Sequence, residues 1–314
     1  MKQNVKACVL QCKNSIIRKD AWCSAAMYHA NVIDSMIYPS SSSIDDRKKQ
    51  IHSVNEHPIY NFIHRYYSYS LKQIKLYSPG INIKLESSTK DDLNVLLSPD
   101  NFDIIKNQYC SKTISIKKKK KLLRNQEILL QTTLNTPHFS CFGLHEWAML
   151  AIGDGQESRH QSLPLRVSQE TIDKIVKMKG SIRCTHYDAF RFFHPDVQDY
   201  NEISLSRNNQ KDYEQGACVH ATMDLFKYAY EIYPFISAEL LRKCLSVSLK
   251  ARHIDMRASP YDCSQIDGVD DPIKIETAEG RKQYATEQEK LYQLSVPLRI
   301  QLLEVYETVL LTEE

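Results

Sequence analysis

Eight glycines in 314 residues set the first limit on this chain. Tight turns with positive φ draw mainly on glycine. Their scarcity argues against an all-β sandwich or barrel, which needs many such turns. It also argues against a glycine-rich phosphate cradle, and neither G-x-G-x-x-G nor a Walker A sequence occurs. No internal repeat of solenoid length is present. The expected fold is mainly α, a multi-helix globular fold with irregular connections and at most a small β element.

A chain of this length buries one large core or two modest ones. No apolar run approaches the roughly 20 residues that span a bilayer. The start, Met1 to Asp20, has only Ala7-Cys8-Val9-Leu10 as an apolar patch, too short for a secretory segment. The reading is therefore a cytoplasmic protein with no membrane partner. Nine cysteines, an odd number without a compact spacing pattern, read as reduced thiols, mostly buried and a minority catalytic or ligating. The net charge of +3 is uneven. Residues 1–136 hold 21 Lys+Arg against 11 Asp+Glu, or +10, and residues 137–314 hold 20 against 27, or −7. Two regions are expected: a basic, helix-rich 1–136 with a lysine-rich segment, and a helical 137–314 that carries Cys/His/Asp motifs. One continuous domain is the alternative. The basic half suggests DNA as a partner, with a solvated basic surface as the plainer explanation. Nothing specifies a protein partner.

Helix signals recur along the chain. A helix is expected over Ala21–Met36, ended by Tyr38-Pro39. The serine run Ser40–Ser43 reads as a loop. A second helix starts near Pro58 and carries Ile59, Phe62, Ile63, Tyr66 and Tyr67. After the Pro79-Gly80 turn, Ile81–Leu85 alternates like a short strand, and residues 86–113 are weakly patterned. Lys117–Lys121 is either an exposed loop or the polar end of a helix, and a phosphate contact or a solvated charge run. Further helices are expected over Phe139–Ile152 with Ser140 as cap, Ser168–Met178, Ser181–Phe193, Val219–Tyr230, and from the Ser237 cap to about Arg252. Two more are expected at Thr277–Leu291 and Pro297–Leu310, the second with Pro297 at N1.

Three segments share one chemical pattern: Cys141-Phe-Gly-Leu-His145-Glu146-Trp147, Cys184-Thr-His186-Tyr187-Asp188, and Cys218-Val-His220 followed by Asp224. Thiols, imidazoles and carboxylates bind metals and move protons. His145, His186 and His220, with any of the three cysteines, have the ligand types of a zinc or non-haem iron site. However, there is no C-x-x-C, no H-E-x-x-H and no pair of E-x-x-H motifs. The expectation is thus that no cofactor is required, with a divalent metal placed second. Asp188, Glu146, Asp224, Asp255 and Asp262 are the carboxylates for acid–base work. Asp255 and Arg257 read equally as a base site or a buried pair, and Asp262 as a turn residue. Cys184 or Cys218 as nucleophile is the weakest option, because i and i+2 do not face each other on a helix. Trp147, Tyr187, Phe190, Phe192 and Phe193 surround the motifs, either as core or as faces on which a base stacks. Arg183 and Arg191 flank the second motif, to hold an anionic substrate or to pair with nearby aspartates.

Longer motifs carry a resemblance. They are Cys141-Phe-Gly-Leu-His-Glu-Trp-Ala-Met149, Arg159-His160 with Pro164-Leu165-Arg166, Arg183-Cys-Thr-His-Tyr-Asp-Ala-Phe-Arg-Phe-Phe193, Cys218-Val-His-Ala-Thr-Met-Asp-Leu225, Asp255-Met-Arg-Ala-Ser-Pro-Tyr-Asp262 and Ile275-Glu-Thr-Ala-Glu-Gly-Arg281. From about Asp20 to Leu303 the chain resembles a family of bacterial proteins commonly labelled 3-methyladenine DNA glycosylase. It departs at Glu214-Gln-Gly-Ala-Cys218, where the family tends to have Gln-Pro-Gly, and in the lysine-rich segment before Pro137. The resemblance implies a DNA N-glycosylase, a hydrolase that removes an alkylated purine. On that reading Asp188 or Glu146 acts on the sugar or on water, and His186 and His220, with Asp224, orient groups. Trp147 and Tyr187 would meet the base, and Arg183 and Arg257 the rest of the substrate. The alternatives are a metal-dependent enzyme on a small substrate through His145, His186 and His220, and a non-enzymatic helical partner-binding protein.

Overall fold

The computed structural model describes residues 15–37, 57–87, 95–151, 163–178 and 180–312. The loop expected at Ser40–Ser43 and the motif residues Arg159-His160 lie outside them. The fold is mainly α with one small sheet, as expected. Two compact units form, and both combine distant stretches of chain. Unit 1 comprises residues 1–126, 226–246 and 300–314; unit 2 comprises 127–225 and 247–299.

Unit 1 contains the sheet, in the order β1-β2-β4-β3. Its strands are β1 (Ser15–Ile17), β2 (Ile83–Glu86), β3 (Phe102–Ile105) and β4 (Gln108–Ser111). β1 runs parallel to β2 with Ile17 opposite Leu85, while β4 is antiparallel to both β2 and β3. The β3–β4 hairpin falls in the stretch that reads as weakly patterned. Its turn residues Lys106 and Asn107 both have positive φ, 51° and 58°. This is the handedness a two-residue hairpin loop needs, but without a glycine it leaves no turn signal in the sequence.

Helix α1 (Lys19–Ile37) packs Trp22, Ala26, Ile33 and Ile37 inward at helical spacing. The Trp22 indole N–H donates to the Glu86 carbonyl at 2.9 Å, and its ring meets Tyr109 edge-on at 5.9 Å. Leu76, Tyr77, Leu85, Leu97 and Phe102 complete this core. Pro58 starts a turn rather than a helix, and α2 covers only Phe62–Arg65. Tyr67 and Tyr69 pack on Phe226 and Tyr230, with centroids 5.3 and 4.2 Å apart, so these aromatics are part of the unit's interior packing. A capping box between Ser70 and Gln73 opens α3 (Leu71–Ile74).

The lysine run lies inside a helix, α4 (Ile116–Leu134). Lys118 donates to the Tyr233 carbonyl at 2.9 Å, and Lys121 pairs with Glu231 at 2.9 Å. At least these two lysines are engaged in contacts within unit 1.

Unit 2 is helical. It contains α5 (Leu144–Leu150), α6 (Gln169–Val176), α7 (Tyr187–Phe190), α8 (Pro195–Gln198) and α9 (Gln210–Tyr213). To these it adds parts of α10 (Val219–Glu231), α11 (Ala238–Ala258) and α12 (Ala278–Thr312). The expected helix over Phe139–Ile152 is cut to seven residues. Phe142 and Gly143 take positive φ, 49° and 66°, so the helix begins at Leu144 and Cys141 lies outside it. The expected helix over Ser181–Phe193 shrinks to one turn, with His186 as its N-cap. The two helices expected at Thr277–Leu291 and Pro297–Leu310 are instead one helix with Pro297 inside it. A proline removes one N–H and crowds the preceding turn without always breaking a helix. Nearby, the Ser295 hydroxyl donates to the Tyr292 carbonyl at 2.9 Å.

Several long motifs interlock here. The Arg166 guanidinium grips both oxygens of Glu276, at 2.5 and 3.0 Å, and donates to the Ser259 carbonyl. The Arg166 N–H meets the Pro260 carbonyl, and the Asp262 N–H meets the Pro164 carbonyl. The Thr277 hydroxyl accepts from the Gly280 N–H, where a side chain would collide with the Lys274 carbonyl. Asp262 accepts from the Ser264 N–H at 2.9 Å, a turn role. Among the described residues no helix is long and apolar enough to cross a membrane.

Burial in unit 1 yields a pH prediction. His29 is fully buried between the Ile74 carbonyl, 3.1 Å from Nε2, and the Arg242 guanidinium, 3.2 Å from Nδ1. Donating to the carbonyl and accepting from the arginine requires the neutral ring. Burial first, and Arg242 in addition, pull its pKa down to about 4, against the bond to Ile74. Between pH 6.5 and 4 the unfolded chain binds a proton that the folded chain does not, so stability falls as pH falls through that window. The loss is about 3 kcal/mol from this group. Urea titrations of wild type and His29→Gln from pH 7 to 4 should show a steeper fall for wild type; parallel curves would contradict it.

Candidate metal centre

Three helices of unit 2 converge on one buried point. His145 lies at the start of α5, His220 at the start of α10 and Asp255 near the end of α11. One ligand atom from each lies within 4.8 Å of the other two, and all three residues are buried. His145 Nε2 is 3.6 Å from Asp255 Oδ1, and the His145 and His220 rings meet edge-on with centroids 4.1 Å apart. Asp255 Oδ1 is buried and has no hydrogen-bond partner among the described residues. The other oxygen, Oδ2, accepts from Arg252 at 2.6 Å. Arg252 sits one helical turn before Asp255, the spacing at which side chains meet. Its guanidinium is also 3.6 Å from Glu146 Oε1, an oxygen equally 3.6 Å from His145 Nε2.

A third histidine adjoins this group. The His186 ring lies 5.3 Å from the His220 ring. His186 Nε2 is 3.2 Å from Asp224 Oδ2 and 3.6 Å from Glu214 Oε1. Gln210 donates to that Glu214 oxygen at 2.6 Å, across one turn at the end of α9. None of His145, Glu146, His186, Glu214, His220, Asp224, Arg252 or Asp255 is more than 8% exposed.

The electrostatics separate the histidines. Burial opposes charge on His145, but Asp255 and Glu146 together outweigh it and raise its pKa. Burial likewise opposes charge on His186, and Glu214 and Asp224 outweigh it. His220 has burial and both other histidines against it, which hold it well below the ordinary histidine value. The cysteines play a different part. Burial pushes the Cys184 thiol up to about 12 and raises Cys141 and Cys218 as well. Cys184 Sγ–H points at the His186 carbonyl, and Cys141 Sγ accepts from Gln288 at 3.5 Å. Thiols held protonated are poor nucleophiles.

The other sequence candidates lie apart from this centre or are engaged elsewhere. Trp147 is fully buried, donates to the Ala258 carbonyl at 2.9 Å and carries Arg166 on its ring, the setting of a core residue. Arg257 is held by Glu287 at 2.7 Å and by the Asp271 carbonyl. Arg183 is exposed and pairs with Glu202 at 3.2 Å. Tyr187 is half-buried, and Asp188 pairs with Arg191 at 3.1 Å. The expected ligand set of His145, His186 and His220 is thus regrouped: Asp255 joins His145 and His220, while His186 faces Asp224 and Glu214. Arg252 and Glu214 were not among the site residues expected from the sequence. Only the i, i+3 spacing of Arg252 and Asp255 on one helix could have signalled the first. No family model, curated protein or solved structure matches the chain.

Arg252 compensates buried carboxylate charge, and deleting one partner of such a group strands the other. In chelator-treated protein, Arg252→Met should lower unfolding free energy by about 3–5 kcal/mol. A change below about 1 kcal/mol in urea denaturation would show that the pairing carries no such weight.

Proposed function

We propose that unit 2 holds a metal-dependent enzyme centre, in which His145, His220 and Asp255 bind a divalent first-row transition ion and the substrate is small. The observation that carries this reading is the convergence of two imidazoles and one carboxylate, from three helices, on one buried point. Two histidines and a carboxylate suit zinc, iron or manganese, and leave coordination positions open for chemistry. Asp255 fits the role by its division of labour: Arg252 holds Oδ2, and Oδ1 faces His145. Such an ion supplies Lewis acidity. Glu146, shared between His145 and Arg252, is the nearest further carboxylate and the group to receive a proton during hydrolysis. The burial of every ligand argues for a small substrate or a small reacting group.

Protein purified without chelator should carry metal. His145→Gln and His220→Asn should weaken metal binding by more than the roughly 10–100-fold typical of losing an outer-shell partner, with helix content unchanged. Metal-free wild type, or variants that bind as wild type does, would refute the site.

A second reading keeps the N-glycosylase that the resemblance implies. It is favoured by Asp188, a carboxylate that reaches solvent beside the centre, with a side chain 15% exposed. It also lies close enough to His186 to help raise that pKa. On this reading Asp188 stabilises the sugar cation as an alkylated purine leaves, and water adds to the sugar carbon as the bond to the base breaks. Release of free 3-methyladenine from methylated duplex DNA should then fall at least tenfold in Asp188→Asn. Full release by that variant excludes the role. Release that also stops on chelation would unite the two readings.

A further inference from the structure

We propose that Cys141 and Tyr284 form a modification site, at which oxidation joins the cysteine sulfur to the ring carbon beside the phenol oxygen. This rests on the metal reading of His145, His220 and Asp255, and it commits that ion to a redox-active one.

The sulfur and the phenol are aimed at each other. Cys141 lies just ahead of α5, while Tyr284 and Gln288 stand one turn apart on α12, the spacing at which side chains share a face. Cys141 Sγ is 3.9 Å from the Tyr284 hydroxyl. Gln288 donates to the same sulfur at 3.5 Å and to the Ala217 carbonyl at 2.7 Å. Its own Oε1 is buried without a hydrogen-bond partner among the described residues. The amide thus holds the sulfur at the expense of its own oxygen. Tyr284 is fully buried, and among the described residues the thiol is the one hydrogen-bond partner of its hydroxyl. Sulfur is a weak partner for a buried hydroxyl.

The pair adjoins the proposed centre. A Cβ at Gly143 would lie 3.4 Å from Tyr284 Cε2, 3.5 Å from its oxygen and 3.4 Å from Ala258 Cβ. Ala258 is one turn beyond Asp255 on α11, and Gly143 caps the helix that begins with Leu144 and His145. Burial above all, with the Asp255 charge among the further causes, raises the pKa of both Cys141 and Tyr284. Cys141 is half-buried, which gives a molecule as small as dioxygen a way in. Coupling breaks the S–H bond of Cys141 and one ring C–H bond of Tyr284, and forms one C–S bond. The two electrons and two protons pass to dioxygen, which leaves as hydrogen peroxide. Two histidines and a carboxylate with open positions suit iron for such oxygen chemistry.

Mass spectrometry of the full chain tests this directly. The protein is loaded with Fe2+ without oxygen, its bound iron is counted, and it is then exposed to air. Reduction, denaturation and alkylation follow, and a thioether survives all three. Wild type should weigh two hydrogens less than its sequence and take up one alkyl group fewer than its nine cysteines. Fragmentation should join the peptides that contain Cys141 and Tyr284. Tyr284→Phe should be alkylated at every cysteine, and Cys141→Ser, which should yield no linked peptide, serves if that variant fails to fold. Iron-bound wild type with every thiol alkylated overturns the modification and leaves the metal reading intact. A sulfur that gains oxygen instead of joining the ring also overturns it, as does a mass loss that persists in Tyr284→Phe. Wild type that binds no iron overturns an iron centre, and this proposal with it.

Discussion

The burial of ionisable side chains in unit 2 is the constraint on which the rest depends. Four carboxylates, three histidines and an arginine sit together almost without water. Charges in such a place must be paired or bound to a cation. The surrounding structure supplies that pairing with short elements and turns. Gly143 takes a left-handed conformation so that α5 can begin one residue before His145. His186 sits at the cap of a single helical turn, and Glu214 at the end of another. Long helices provide the remainder, with His220 and Asp224 one turn apart on α10 and Arg252 and Asp255 on α11.

The long motifs of the sequence divide into two kinds. Some residues face the centre, such as His145, Glu146, His186, His220, Asp224 and Asp255. Others brace it. Arg166 and Glu276 clamp two chain segments, Trp147 is pinned to Ala258, and Gly280 allows the start of α12 to approach Lys274 closely. The cysteines belong with the bracing set, since burial keeps their thiols protonated.

The long helices were legible from sequence because their apolar spacing and caps are local. Trp22, Ala26, Ile33 and Ile37 mark α1, and Ser168 and Ser237 cap α6 and α11. The β3–β4 hairpin was not, because Lys106 and Asn107 take positive φ without glycine. Pro297 misled in the other direction, since a proline is a stronger break signal in sequence than in a long helix packed along its length. In the site, the three histidine motifs were visible as chemistry, but their grouping was not. Asp255 reaches His145 across 110 residues, and Glu214 reaches His186 from a stretch that the sequence marked only as a departure from a pattern. Such pairings are decided by packing, which no short window of sequence contains.

X-ray absorption at the metal edge of the purified protein tests the central claim most directly. A centre built from His145, His220 and Asp255 predicts a shell of nitrogen and oxygen alone at about 2.0–2.2 Å, with the outer scattering of imidazole rings. A sulfur shell near 2.3 Å would place the ion on the cysteines instead and contradict the account.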